Sequence, residues 1–284
     1  MFLEVPSHPP ATDQEPLPCL PGAATRVLRL VNDPKVPTQV CVDALRLDVG
    51  LSANVLRLAN SPVFYFRRSI ETLEHAVMVL GRQRLRDLVV ASAYARTIPK
   101  VLPGYDIEGR LFWTHSAAVA TYAEAVGRYL GTQHTSELFT AGLLHDCGKL
   151  LGSGAVAATF NDDGPMSFDP ARISASAATG AKHARAGAFL ARNWELPPLF
   201  IAAAKYHHTP TRLPAGRERL VAEIVHLANA TAHAMGFGAS NAPHHEELDE
   251  EVVEELGVTR EMMQTLATTS LEHVERLAGA FSSL

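Results

Sequence analysis

Histidine and aspartate recur along this chain in an order that could build a metal centre. His115 lies in FWTHS, His145-Asp146 in GLLHDCGKL, His183 in GAKHARAG and His207-His208 in KYHHTP. A neutral imidazole offers a borderline nitrogen ligand and a carboxylate a hard oxygen. That mixture suits Fe, Mn, Zn or Ni better than Ca or Mg alone. Taken singly, each residue is a weak signal. A lone histidine on an apolar face is more often a core histidine with a polar partner, and His207-His208 could simply end a helix, where cations favour the dipole. Their order, with HD followed by GK, is the stronger signal.

Helical phase makes convergence plausible. His115 shares a face with Phe112, Val119 and Tyr122, His145 with Leu138, Ala141 and Lys149, and His183 with Gly187, Leu190 and Trp194. Each histidine thus projects from an apolar stripe that should face a core. Several imidazoles entering one core need polar partners, since a buried imidazole without one is costly. A shared metal would satisfy them together.

The elements that must position these residues read as helices almost throughout. Thr38, Asp48 and Thr72 are placed to cap helices, Asn60-Ser61-Pro62 stops one, and Gly81 suits the position after a helix end. A break with Pro99 and Pro103-Gly104 precedes a long helix over about 107–130. Another starts at Thr135 or Ser136 and runs into His145-Asp146. Residues 152–173, rich in Gly, Asp and Pro, read as a weakly structured connection. Helices follow over about 180–194, from Pro198 to near His207-His208, over 218–235, over 246–256, and over 260–279 after Thr259. No alternating strand pattern, hairpin signal or fixed-period repeat stands out. The class is all-α.

Composition narrows the function classes. The 284 residues are 47% hydrophobic and 19% charged, with a net charge of −5. That is ordinary globular composition, long enough to bury a sizeable core. Cys19, Cys41 and Cys147 form no CxxC pair, which argues against a disulfide scaffold and for a reducing compartment. No stretch reaches the ~18–20 apolar residues of a membrane span, and MFLEVPSHPP lacks the pattern of a signal peptide. A cytoplasmic location is the expectation. Seven acids between residues 246 and 255 carry the negative charge, and they read as a solvated helix face. Residues 20–110 hold thirteen Lys/Arg against eight Asp/Glu. That excess is too modest for a dedicated nucleic-acid binder.

GLLHDCGKL resembles the signature of the HD superfamily of metal-dependent phosphohydrolases. The chain around it resembles the HDOD domain, a bacterial signalling relative of the HD-GYP phosphodiesterases. The likeness runs through LPCLPGAATRVLRLVNDP, DVGLSANVLRLANSPVF, SIETLEHAVMVLGRQRLRDLVV, FWTHS, AGLLHDCGKL, KHARAGAFLARNWELP and KYHHTP, and so covers about residues 18–234. The resemblance implies a two-lobed helical bundle: an HDOD-specific lobe over 18–105 and an HD-like lobe over 106–234. A lead-in over 1–17 and a helical extension over 235–284 flank it.

The resemblance also implies roles. His115, His145, Asp146, His183, His207 and His208 match positions that hold one or two metals in competent HD proteins. Lys149 matches the basic residue that can contact a phosphate. HDOD proteins often lose such ligands and are mostly thought to act as signalling or scaffold modules without catalysis. This chain keeps them, yet departs elsewhere. Asn229, in EIVHLANATAH, stands where the superfamily's last aspartate ligand is expected, and HHTPTRLP has no GYP motif. His226 and His233 flank Asn229 at minus three and plus four and are candidate substitute ligands. The reading preferred on this basis is a non-catalytic regulatory module with a partly retained metal or ligand site and a signalling protein partner. Arg67, Arg68, Arg82, Arg84 and Arg86 would form the partner surface. The alternative is a metal-dependent phosphohydrolase acting on a nucleotide or cyclic dinucleotide.

Overall fold

The structure, a computed structural model, describes residues 18–60, 70–133, 135–152, 180–238 and 248–281. The lead-in over 1–17, Arg67, Arg68 and all but the first residue of the connection over 152–173 lie outside the described residues. The described residues are about 74% helical with almost no strand, an all-α fold as the periodicity implies.

Four helices open the chain: α1 (Gly22–Asn32), α2 (Thr38–Arg46), α3 (Val49–Ala59) and α4 (Leu73–Ala95). Asp48 caps α3, its side chain accepting from Leu51 N, and Thr72 caps α4 by accepting from His75 N. Thr38 instead lies inside its helix, which follows Pro37 with no side-chain cap. α4 is broken at Gly81, where φ is 75°. That conformation suits glycine, which has no Cβ to clash, and the break lets the two parts of α4 face different neighbours. The second part, from Leu85 to Ala95, is buried almost without interruption.

A short antiparallel pair follows that no alternation in the sequence announces. β1 (Val101–Leu102) pairs with β2 (Ile107–Glu108) in the register Val101↔Glu108 and Leu102↔Ile107. Two residues per strand are too few for a period-2 pattern to register. Because of this pair, α5 (Gly109–Tyr129) starts two residues later than expected.

α5 is the centre of the molecule. Phe112, Trp113, Ala117, Val119, Ala120 and Val126 along it are wholly buried. It packs against α6 (Thr135–Leu144), α9 (Arg217–Ala234) and α11 (Arg260–Phe281). Between α6 and α9 come a 3₁₀ turn (Cys147–Leu151), α7 (Gly180–Asn193) and α8 (Pro198–Tyr206), which begins with proline in its first turn. A helix of about two turns, α10 (Glu250–Leu256), and α11 follow, with the Thr259 hydroxyl capping α11 by accepting from Met262 N. Trp113 Nε1 donates to Leu277 O at 3.2 Å, which ties α11 to α5. The buried apolar side chains from Leu20 to Leu277 form one contiguous cluster. Each leucine wholly buried in it contributes about 1.5–3 kcal/mol relative to exposure.

Candidate metal centre

Four separate elements deliver the six candidate ligands to one place. His115 comes from the second turn of α5. His145 and Asp146 follow the last residue of α6. His183 sits on α7, and His207-His208 directly follow α8. One close approach makes this geometry possible. A Cβ at Gly148 would lie 2.0 Å from His183 O and 2.4 Å from Gly187 N, so only glycine lets the 3₁₀ turn settle on α7. That seating brings His183 Nε2 to 2.8 Å from Asp146 Oδ1.

Asp146 is the hub. Its Oδ1 also faces His207 Nε2 at 3.7 Å, while Oδ2 faces His115 Nε2 at 3.6 Å and His145 Nε2 at 3.5 Å. His208 Nε2 reaches His183 Nε2 at 3.0 Å, and His183 Nε2 lies 3.3 Å from His207 Nε2. The donors fall into two triads, His115–His145–Asp146 and His183–His207–His208, and within each the ligand atoms lie within 4.8 Å of one another. Five of the six residues are buried and His208 is half-buried, so it marks the side from which the cluster meets solvent.

The chemistry of this donor set fits a divalent transition metal. His115 Nδ1 donates to Phe237 O at 2.9 Å, His145 Nδ1 to Gly142 O at 2.7 Å and His207 Nδ1 to Ala204 O at 2.9 Å. With the proton on Nδ1, each Nε2 presents a lone pair inward, the usual outer support of a metal-ligating histidine. Burial pushes His115 down to about 3, with the neighbouring His145 adding to the effect. It pushes His183 down to about 4. His207 falls well below the usual range, through burial and then its neighbour His208. These imidazoles are therefore neutral at physiological pH, the form that binds metal. Burial, the largest influence, would raise Asp146, but the Lys149 ammonium 2.5 Å from Oδ2, together with His145 and His183, holds the carboxyl well below the ordinary carboxylate range.

Three sequence expectations look different in the structure. Lys149, whose expected role is to meet a phosphate, is ion-paired with Asp146. His226 is no substitute ligand. Its Nε2 accepts from Asp249 N at 3.2 Å and its Nδ1 donates to His207 O at 2.8 Å, which occupies both ring nitrogens. His233 lies against His115, with ring centroids 4.9 Å apart and the ring planes tilted by 52°. Asn229, between these two histidines on α9, is 2% exposed and brings no charge to the interior.

The arginines, too, serve the fold. Arg82 donates to the carbonyls of Leu30, Val31, Asp33 and Val36, and so closes the C-terminal end of α1. Arg84 pairs with Glu124, and its Nη1 lies 3.6 Å from Asp87 Oδ2. Arg86 is buried, 3.4 Å from Asp87 Oδ1 and stacked over Phe200 at 5.4 Å. These three are spent inside the molecule rather than displayed to a partner. No signal in the sequence separates an exposed arginine from one that caps a helix 50 residues away.

Comparison with known proteins agrees with this architecture. Residues 17–210 match the family described as the HDOD domain. A solved structure from Shewanella amazonensis, provisionally named a phosphohydrolase, superposes with a TM-score of 0.68 at 28% identity, covering 93% of this chain and 95% of that one. An HDOD domain protein of unknown function from Geobacter sulfurreducens gives a TM-score of 0.66 at 22% identity over 94% and 93% of the two chains. An uncharacterized protein of Treponema pallidum is 24% identical over 219 residues, which is 76% of this chain but only 42% of that relative's length.

Proposed function

Because this chain belongs to the HDOD domain family, we propose that it is a regulatory signalling module built around a site for one divalent metal, and that it does not hydrolyse phosphoesters. The observation that carries this reading is the charge at the hub. Among the described residues, Asp146 is the one carboxylate in the two triads, and Lys149 already neutralises it. A bound metal would supply Lewis acidity and acidify a water, and a second ion would add the charge that stabilises displacement at phosphorus. Two divalent cations would bring +4 into a buried site whose described ligands offer −1, beside an ammonium. The neutral Asn229 does nothing to offset that excess.

The residues act as a sensor on this reading. His115, His145, Asp146, His183, His207 and His208 bind one Fe, Mn, Ni or Zn ion, and the ligated state ties α5, the 3₁₀ turn, α7 and α8 together. A protein partner in the cytoplasm would then read how firmly those elements are held. A nucleotide phosphate approaching past His208 is the candidate small ligand. The second reading, a phosphohydrolase, is favoured by the convergence of all six donors and by the name of the Shewanella structure. Metal analysis combined with a phosphodiesterase assay separates the two. One metal per chain without turnover supports the sensor, and two metals with turnover support the enzyme.

A further inference from the structure

The short helix α10, which lies beyond the family match, reaches the candidate metal centre through the imidazole of His226. His226 is 3% exposed, on the face of α9 that meets both α8 and α10. Asp249 N can only donate, so the ring nitrogen it meets, Nε2, must accept. The proton of the neutral ring is then on Nδ1, and it is donated to the carbonyl of His207, itself one of the ligating pair. The path runs from the start of α10, through His226, to the backbone that carries His207 and His208.

α10 is held to this spot by more than the one bond. Val252 is wholly buried, and Leu248, Val253 and Leu256 pack on the core. Arg219 of α9 pairs with Glu255, lies 3.7 Å from Glu251, and donates to Glu223 at 2.6 Å. The described acids of α10 stay exposed, as expected of a solvated face, while Glu251 and Glu255 lie along Arg219 and Glu250 meets Arg260 at 2.5 Å.

We infer that His226 is a positioning residue that couples the docking of the C-terminal helices to metal binding by His207 and His208. The inference rests on the metal reading given above. Docking of α10 fixes the His226 ring, and the ring fixes the carbonyl of His207 and with it the aim of both imidazoles. By linkage, metal bound at the pair must stabilise the docked α10 to the same extent. Nothing in this coupling depends on a change of protonation.

Two substitutions at Asp249 test it from the far end. Its φ is −69°, which proline adopts, so Asp249→Pro deletes the N–H with little backbone change. Asp249→Ala keeps the N–H and removes only the carboxylate cap on Glu251. Two quantities are read on the full chain: the imidazole nitrogen resonances of His226 without metal, and Mn²⁺ affinity by calorimetry. In the wild type and Asp249→Ala, His226 should show the Nδ1–H form. In Asp249→Pro the Nε2 resonance should shift as its hydrogen bond is lost, and Mn²⁺ affinity should fall by at least about fivefold, the lower end of ordinary coupling. Equal affinities in the two variants, or an Nε2–H form in the wild type, overturn the coupling while leaving the metal reading standing. Failure of the wild type to bind Mn²⁺, with the Nδ1–H form present, overturns the metal reading and the coupling with it.

Discussion

Asn229→Asp is the sharpest test of the charge argument, because it restores the missing carboxylate with almost no change in shape. Asn229 is 2% exposed, and its flanking turns touch the His207 carbonyl through His226 and the His115 ring through His233. Without metal, the new carboxylate is buried on α9. A rise of two to three pKa units above the ordinary carboxylate value costs about 3–4 kcal/mol at neutral pH. In a chain of this size that is a fall in Tm of roughly 6–12 °C. With metal the sign reverses. If residue 229 faces the site, a carboxylate there attracts a bound divalent cation, and at a separation of about 5 Å that attraction is several kcal/mol even at an effective dielectric of about 20. The assay is thermal unfolding of both proteins in chelator and in excess Mn²⁺. The expected result is a variant less stable than wild type in chelator but with the larger Mn²⁺-induced rise. Identical melting in chelator, or identical Mn²⁺ shifts, would refute the placement of Asn229 against the site.

Other outcomes follow from particular side chains. Gly148→Ala should destabilise the protein by more than about 3 kcal/mol in chemical denaturation and abolish metal binding, since its Cβ would lie 2.0 Å from His183 O. Cys19 is exposed while Cys41 and Cys147 are buried; burial raises the thiol pKa of both buried cysteines. A thiol reagent should therefore modify one cysteine rapidly in the native chain and all three only after unfolding. Burial raises Asp87 to about 6, against the opposing pull of Arg86, Thr140 and Arg84. A folded pKa above the unfolded one means stability is fully present below about 4 and is lost as pH rises through about 6. The stability of wild type relative to Asp87→Asn should accordingly drop by about 2–3 kcal/mol between pH 4 and pH 7.

Much of this was readable in the sequence where the signal is local. Asp48, Thr72 and Thr259 cap helices because a short side-chain oxygen reaches an amide two or three residues on. The histidines converge because apolar stripes at helical spacing can meet in only a few ways. Long-range pairings were not readable. Arg82 reaches carbonyls some 50 residues back, and Arg219 selects Glu255 from a run of acids. His226 also stood out at the sequence level, but as a possible ligand. Its role as a bridge depends on Asp249, 23 residues away, whose partner no spacing rule specifies. The hairpin at 101–108 has too few residues to leave a pattern.

Elemental analysis of untagged protein purified without chelator, combined with hydrolysis assays on cyclic dinucleotides and a generic phosphodiester with Mn, Fe and Ni supplied, tests the central claim most directly. The account predicts no more than one transition metal per chain and no turnover above background. Two metals per chain, with robust turnover abolished by His145→Ala, would contradict it.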